Sequence, residues 1–178
     1  QIEFEIDNVN LNNNYGFIGG AICVLSGQII SNQLTIHSNA AYIGAAISLG
    51  EPFGLVVSDI YLSMNRSTIT NNNGENVITL GDYSIMDISN TILWNTDSPE
   101  IQLLPNNSLI NADIIHSNLE EIDDWDSNMN ISSDPIFVDE MNNNFQLQQD
   151  SPCIDAGISD IDNDGIEDIV DYYGSAPD

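Results

Sequence analysis

Apolar and polar residues alternate in short runs along the first two thirds of the chain. The runs AISL at residues 46–49 and IDNVNL at residues 6–11 are examples. An apolar side chain at every second position is typical of β-strands, whereas amphipathic helices repeat every 3.6 residues. β-Branched residues dominate these runs, and Asn and Gly recur between them, where turns need left-handed backbone. The pattern therefore predicts many short strands joined by tight turns.

The runs are organised in a longer repeat. Residues 7–24 align with residues 32–49 at an offset of 25 without a gap, so that Leu11 matches Ile36. Looser copies begin at Asn65 and Ile88, and a partial copy begins at Ala112. A repeat of this length indicates a solenoid, in which each copy forms one coil and several coils share a core.

Stacking of the coils follows from the strand pattern within each repeat. Every strand then pairs with its counterparts in the neighbouring coils at about 4.8 Å, and the inward Ile, Leu and Val form columns. Recurring Asn residues at one corner are expected to form a ladder of amide hydrogen bonds along the axis. The sequence thus predicts an all-β, parallel solenoid of about five coils over residues 1–118.

The repeat fades from about Leu119. We predict that residues 119–150 end and cap the solenoid, and that residues 151–178 form a loop-rich segment. Trp125 lies in an acidic stretch and is expected to cover the last coil. At the other end the coil pattern is already under way at Gln1. That indicates either that further coils precede it or that an open end docks on another molecule.

Charge narrows the possible partners. The chain has 28 Asp and Glu against one Lys or Arg, Arg66, for a formal net charge of −27. Nucleic acids and anionic membranes attract clustered Lys and Arg, so neither is an expected partner. No apolar run approaches the roughly 18 residues of a membrane span. So large a net charge needs nearby counter-ions, which a calcium-bearing extracellular medium supplies.

The most specific motif is DIDNDGIEDIVD at residues 160–171. It has the spacing of a calcium loop, in which alternating oxygens surround one cation and Gly165 permits the sharp turn. The predicted ligands are Asp160, Asp162, Asp164, the carbonyl of Ile166, Asp168 and Asp171. Asp171 is shorter than the usual Glu, and no helical pattern flanks the loop. The alternative is a solvated acidic turn, although carboxylates this close repel one another without a cation.

Several segments carry a family resemblance. The corner sequence GGAI at residues 19–22 resembles coils of right-handed parallel β-helix proteins of the pectate-lyase-like superfamily. The succession of later segments is similar to the C-terminal region of secreted and surface bacterial β-helix proteins of the choice-of-anchor type. Those segments are residues 90–95, 134–139, 144–147, 151–157 and 173–178. The resemblance implies a right-handed coil and a location outside a bacterial cell or on its surface.

Catalysis is not predicted. The resemblance implies that a lyase of this fold would abstract a proton with Lys or Arg, and Arg66 is the one such residue. An isolated exposed Arg is more typical of a surface or structural position. Hydrolysis would need clustered aspartates, and the repeats show no Asp pair on one coil face. Asp59 with Asp82 or Asp87 comes nearest to one.

Other candidate side chains have ordinary structural interpretations. His37 and His116 are expected at outward corners, more than about 10 Å apart, rather than as a metal pair. Cys23 and Cys153 lie several coils apart, too far for a disulfide, so free thiols are predicted. The aromatic residues either pack corners and loops or form a sugar-stacking strip. The candidates for that strip are Tyr15, Phe17, Tyr42, Phe53, Tyr61 and Trp94.

These features predict a non-catalytic extracellular structural module, a calcium-stabilised β-helix of a surface adhesin or of a self-assembling filament. Its expected partners are further copies of itself, added end to end, or surface glycans. The alternative is a carbohydrate-binding module or a fragment of a polysaccharide lyase or hydrolase.

Overall fold

The computed structural model describes residues 3–50, 60–96, 98–104, 109–122, 125 and 128–178. In these ranges the chain forms β-strands and one short 3₁₀ helix, with no α-helix. None of its helical segments there is long and apolar enough to cross a membrane. The predicted all-β class is confirmed.

The described strands are two to six residues long, as the short alternating runs predict. In chain order they are β1 (Glu3–Asp7), β2 (Asn10–Asn12), β3 (Tyr15–Ile18), β4 (Ile22–Val24), β5 (Gly27–Asn32), β6 (Thr35–His37), β7 (Ala40–Ile43), β8 (Ile47–Leu49), β9 (Ile60–Asn65), β10 (Thr68–Thr70), β11 (Ile78–Leu80), β12 (Ser84–Ser89), β13 (Ile92–Trp94), β14 (Ile101–Leu103), β15 (Asn111–Ile115), β16 (Asn118–Leu119), β17 (Phe137–Asp139) and β18 (Asn144–Leu147). The 3₁₀ helix covers Glu140–Asn142.

Three parallel sheets run along the solenoid. Sheet A has the strand order β1-β5-β9-β12-β15, sheet B has β2-β6-β10-β13-β16, and sheet C has β4-β8-β11-β14. Strands β3 and β7 form a separate parallel pair. The fifth repeat contributes strands to sheets A and B, and the solenoid has about four turns.

The register confirms the repeat alignment. Leu11 is the partner of Ile36, and Ile36 is the partner of Ile69 on the next coil. Ile69 and the following residue of this column, Leu93, are fully buried. Burial of such columns removes apolar surface from water at about 25 cal/mol per Å², which stabilises the stack. The core therefore lies along the axis, between the three sheets.

The predicted amide ladder is present at the corner after sheet B. It consists of Asn14, Asn39, Asn72 and Asn95. At each step the side-chain Nδ2 donates to the next Oδ1, over 2.9, 3.0 and 3.3 Å. The backbone N–H donates to the same Oδ1 over 3.0 Å each time. Each buried amide thus satisfies backbone groups that the corner leaves without sheet partners.

A second ladder, built from hydroxyl groups, follows the corner between sheets A and B. Its members are Ser67, Thr91 and Ser117. Each hydroxyl accepts a backbone N–H from the preceding coil, over 3.1 to 3.3 Å. Each also donates to the carbonyl two residues earlier in its own coil. The sequence analysis did not single out this ladder, because three different residue contexts carry it.

Glycines at one corner explain why the first two repeats align so closely. Gly19 and Gly44 both have φ of +60°, in the left-handed region. A Cβ added to either would collide with the carbonyl of Ile22 or Ile47 in its own coil. This corner therefore requires glycine for both its backbone angle and its close packing.

The C-terminal region covers one end and one flank of the solenoid. Trp125 packs against the core as predicted, and Ile131 bridges to Asn118 of the last coil. The antiparallel hairpin β17–β18 lies against the outside of sheet B, where the Phe145 ring is 5.0 Å from the His37 ring. His37 is therefore buried beneath this hairpin.

Candidate functional site: the acidic loop

Residues 160–171 form a loop without strand or helix, and its own aspartates organise it. Asp160 accepts the backbone N–H of Asp164 at 3.1 Å and that of Gly165 at 2.9 Å. Asp162 also accepts the N–H of Asp164 at 3.1 Å. Gly165 has φ of +88°, which gives the sharp turn that the motif requires. The loop is thus folded around the carboxylates of its first positions.

Three of the six predicted ligands come together. Carboxylate oxygens of Asp160, Asp162 and Asp168 lie within 4.8 Å of one another. Calcium binds oxygen at 2.3–2.6 Å, so two ligands on opposite sides of one ion are about 5 Å apart. The spacing of these oxygens therefore fits a calcium ion between them. Asp164 and the exposed Ile166 lie outside this group of three.

Asp171, the predicted twelfth ligand, binds Arg66 instead. Its Oδ1 accepts from the Nη1 of Arg66 at 2.8 Å, and its carbonyl accepts from the same nitrogen at 3.3 Å. Arg66 also donates from Nε to the Oδ1 of Asn32 at 3.2 Å. Its side chain is only 13% exposed, so the description of Arg66 as an exposed residue is wrong. This arginine fastens the end of the acidic loop to the solenoid.

A second attachment holds the start of the loop. The Asn90 side chain donates to the carbonyl of Ile158 at 2.9 Å and accepts the N–H of Ile158 at 2.7 Å. Ile169, near the other end of the loop, is buried. A cation bound in the loop would therefore act on a segment that is fixed to the coils at both ends.

Two segments that carry the family resemblance pack together beside this loop. Asp155 accepts the backbone N–H of Ser175 at 2.8 Å and that of Ala176 at 3.3 Å, and these bonds lower the pKa of its carboxyl group. Gly174 has φ of +98°, and a Cβ there would collide with Asp155. Residues 151–157 and 173–178 thus form one locked unit.

The structure corrects the expectation that no aspartate pair shares a coil face. Asp87 on β12 is the register partner of Asp113 on β15. In-register residues of adjacent parallel strands project to the same side, about 4.8 Å apart. Asp87 accepts the hydroxyl of Tyr61 at 2.8 Å, and Asp113 accepts the Nδ2 of Asn128 at 3.0 Å. Asp59 lies outside the described residues.

The aromatic candidates do not form one strip. Phe17 and Tyr42 stack at 5.5 Å with an interplanar angle of 12°, and both are exposed, as is Tyr15 beside them. Tyr61, however, is on sheet A, and Trp94 is on sheet B in a cluster with the hairpin. The remaining candidate, Phe53, is outside the described residues.

The two cysteines are free thiols in different surroundings. Cys23 is exposed on β4, whereas Cys153 is buried, and its Sγ lies 3.1 Å from the Nδ2 of Asn118. Burial raises the pKa of the Cys153 thiol, which keeps it protonated and unreactive.

Glu100 is a buried carboxyl group that the sequence analysis missed. It is 2% exposed, and burial raises its pKa from 4.5 to about 8. One oxygen, Oε1, accepts the N–H of Glu120 at 3.2 Å. The other, Oε2, is buried without a hydrogen-bond partner. The repeat held the signal, because Glu100 occupies the place of Val77 in the preceding coil.

Comparison with protein-family models, with curated proteins and with solved structures finds no match to this chain.

Proposed function

We propose that this chain is a non-catalytic extracellular structural module, a calcium-stabilised β-helix of a surface adhesin or of a self-assembling filament. The convergence of Asp160, Asp162 and Asp168 carries the proposal, because it offers a calcium site on a loop that Arg66 and Asn90 fasten to the coils. Calcium bound there would hold the C-terminal segment against the solenoid.

The charge of the chain supports the same proposal. A net charge of −27 repels the coils from one another, and a divalent counter-ion reduces that repulsion. Calcium is available outside cells, so the proposed location is extracellular. The resemblance to choice-of-anchor β-helix proteins further favours the surface of a bacterium and a right-handed coil.

Two surfaces are suited to the proposed partners. Strand β1 is the outermost strand of sheet A, and such an edge favours the addition of another strand. A second copy added there would extend the stack. The exposed stack of Phe17 and Tyr42 offers a face for surface glycans, since aromatic rings pack against sugar rings.

A carbohydrate-active protein remains the second candidate, and the pairing of Asp87 with Asp113 is the observation that favours it. Two carboxylates on one face are the minimum for glycoside hydrolysis, with one acting as acid and the other as base or nucleophile. Against it, Tyr61 and Asn128 bind these carboxylates, and the acidic surface repels uronate polymers.

Two assays on the same purified protein separate these functions. We expect no turnover of neutral or acidic polysaccharides, by reducing-end release and by absorbance of unsaturated products. Turnover that disappears in Asp87→Asn with Asp113→Asn, but persists in the control Asp150→Asn, would overturn the structural proposal. Electron micrographs with calcium then distinguish the two structural forms, because only the filament form gives long assemblies.

A further inference from the structure

A cleft at the C-terminal end of the solenoid contains acidic side chains that the proposed function does not use. It has a volume of about 550 Å³ and lies between the last strand of sheet C and the segment after β16. Glu100, Glu120, Glu121 and Trp125 are among the residues that line it. The one Lys or Arg of the chain, Arg66, binds Asp171 in the acidic loop instead.

Glu100 occupies a position that apolar residues fill in the other coils. Ile101 is in register with Ile78, which places Glu100 opposite Val77. The equivalent residue one coil earlier is Ala46. Ala46 and Val77 are both fully buried in the core. A carboxyl group at the end of an apolar column costs stability unless a proton or a cation compensates it.

A proton does not satisfy this carboxyl group. Oε1 accepts the backbone N–H of Glu120, so that oxygen acts as an acceptor. A proton on Oε2 would be a buried donor, and Oε2 has no partner among the described residues. An unsatisfied buried donor costs about 1–3 kcal/mol. A cation at Oε2 satisfies that oxygen and leaves the bond to Oε1 intact.

We propose that this cleft is a second cation site, in which Glu100 together with Glu120 and Glu121 binds a hard divalent cation such as calcium. Carboxylate oxygens are the ligands that calcium prefers, and water in the cleft completes its shell. The site is separate from residues 160–171, and it does not depend on the loop binding calcium.

Terbium tests the proposal, because it binds at calcium sites and emits when an excited tryptophan is close. The apo protein is titrated with terbium chloride under excitation in the tryptophan band, since Trp125 lines the cleft. We expect a saturable emission that calcium chloride competes away. The emission should be lost in Glu100→Gln and in Trp125→Phe. It should persist in Asp160→Asn with Asp168→Asn, which removes the loop ligands.

The controls separate loss of the site from loss of the fold. Each variant is checked by circular dichroism. If Glu100→Gln does not fold, Glu120→Gln with Glu121→Gln tests the same site through its outer ligands, and we expect at least about a tenfold weaker terbium affinity. Absent emission from the wild-type protein, or emission unchanged in the folded glutamate variants, would overturn the proposal. Emission lost only in the loop variant would also overturn it, while supporting the loop site.

Discussion

Replacing Asn72 with alanine should destabilise the solenoid by about 4 kcal/mol, because its amide satisfies buried groups in two neighbouring coils. Its Oδ1 accepts both the N–H and the Nδ2 of Asn39, and its Nδ2 donates to the carbonyl of Ile36. Alanine leaves the Asn39 N–H and the Ile36 carbonyl buried without these partners. Each such group costs about 1–3 kcal/mol.

Urea denaturation followed by circular dichroism measures this effect. Asn73→Ala is the matched control, since the Asn73 side chain is exposed at the next position. We expect the control to lose less than about 1 kcal/mol. Equal losses in the two variants would show that the amide ladder does not stabilise the stack.

Replacing Glu100 with glutamine should remove a pH dependence of stability, measured in chelator so that no metal contributes. The pKa of Glu100 is about 8 in the folded chain against 4.5 as the model value for an unfolded one. Below pH 4.5 both states are protonated. Between these values the unfolded state loses its proton first, so the free energy of unfolding falls by about 1.4 kcal/mol per pH unit. Above pH 8 the loss is complete.

The full difference amounts to about 5 kcal/mol, an upper bound for one buried group. Glu120 and Glu121 lie close enough to raise the pKa further when they are charged. We therefore expect the stability of Glu100→Gln, relative to the wild-type protein, to increase from pH 4.5 to pH 8 and then to level off. Parallel pH profiles for the two proteins would contradict the assignment of a raised pKa.

The repeating part of the fold could be predicted from the sequence because one physical pattern recurs. Leu11 and Ile36 share a register, and Asn14 and Asn39 share a ladder, because equal offsets bring equal side chains together. The offset changes between later coils, and that change concealed the pairing of Asp87 with Asp113. Detecting it required the strand register itself.

The rest depends on contacts between distant segments. Arg66 and Asp171 are 105 residues apart, and no local pattern predicts their ion pair. The hairpin that carries Phe145 covers sheet B, although its alternation shows only that it is a strand. The acidic motif predicted the three converging aspartates but not the diversion of Asp171 to Arg66. Tertiary packing decides such pairings, and a single sequence does not encode them locally.

Scanning calorimetry with calcium and with chelator tests the central claim most directly, that calcium in the acidic loop stabilises the solenoid. The comparison is made with Glu100→Gln in every protein, so that only the loop responds. At 100 times the dissociation constant, a bound ion adds about 2.7 kcal/mol, which for a chain of this size raises Tm by about 5–10 °C. We predict this increase, and we predict none after Asp160→Asn with Asp168→Asn. Identical melting curves with and without calcium in the protein that keeps both aspartates would contradict the claim.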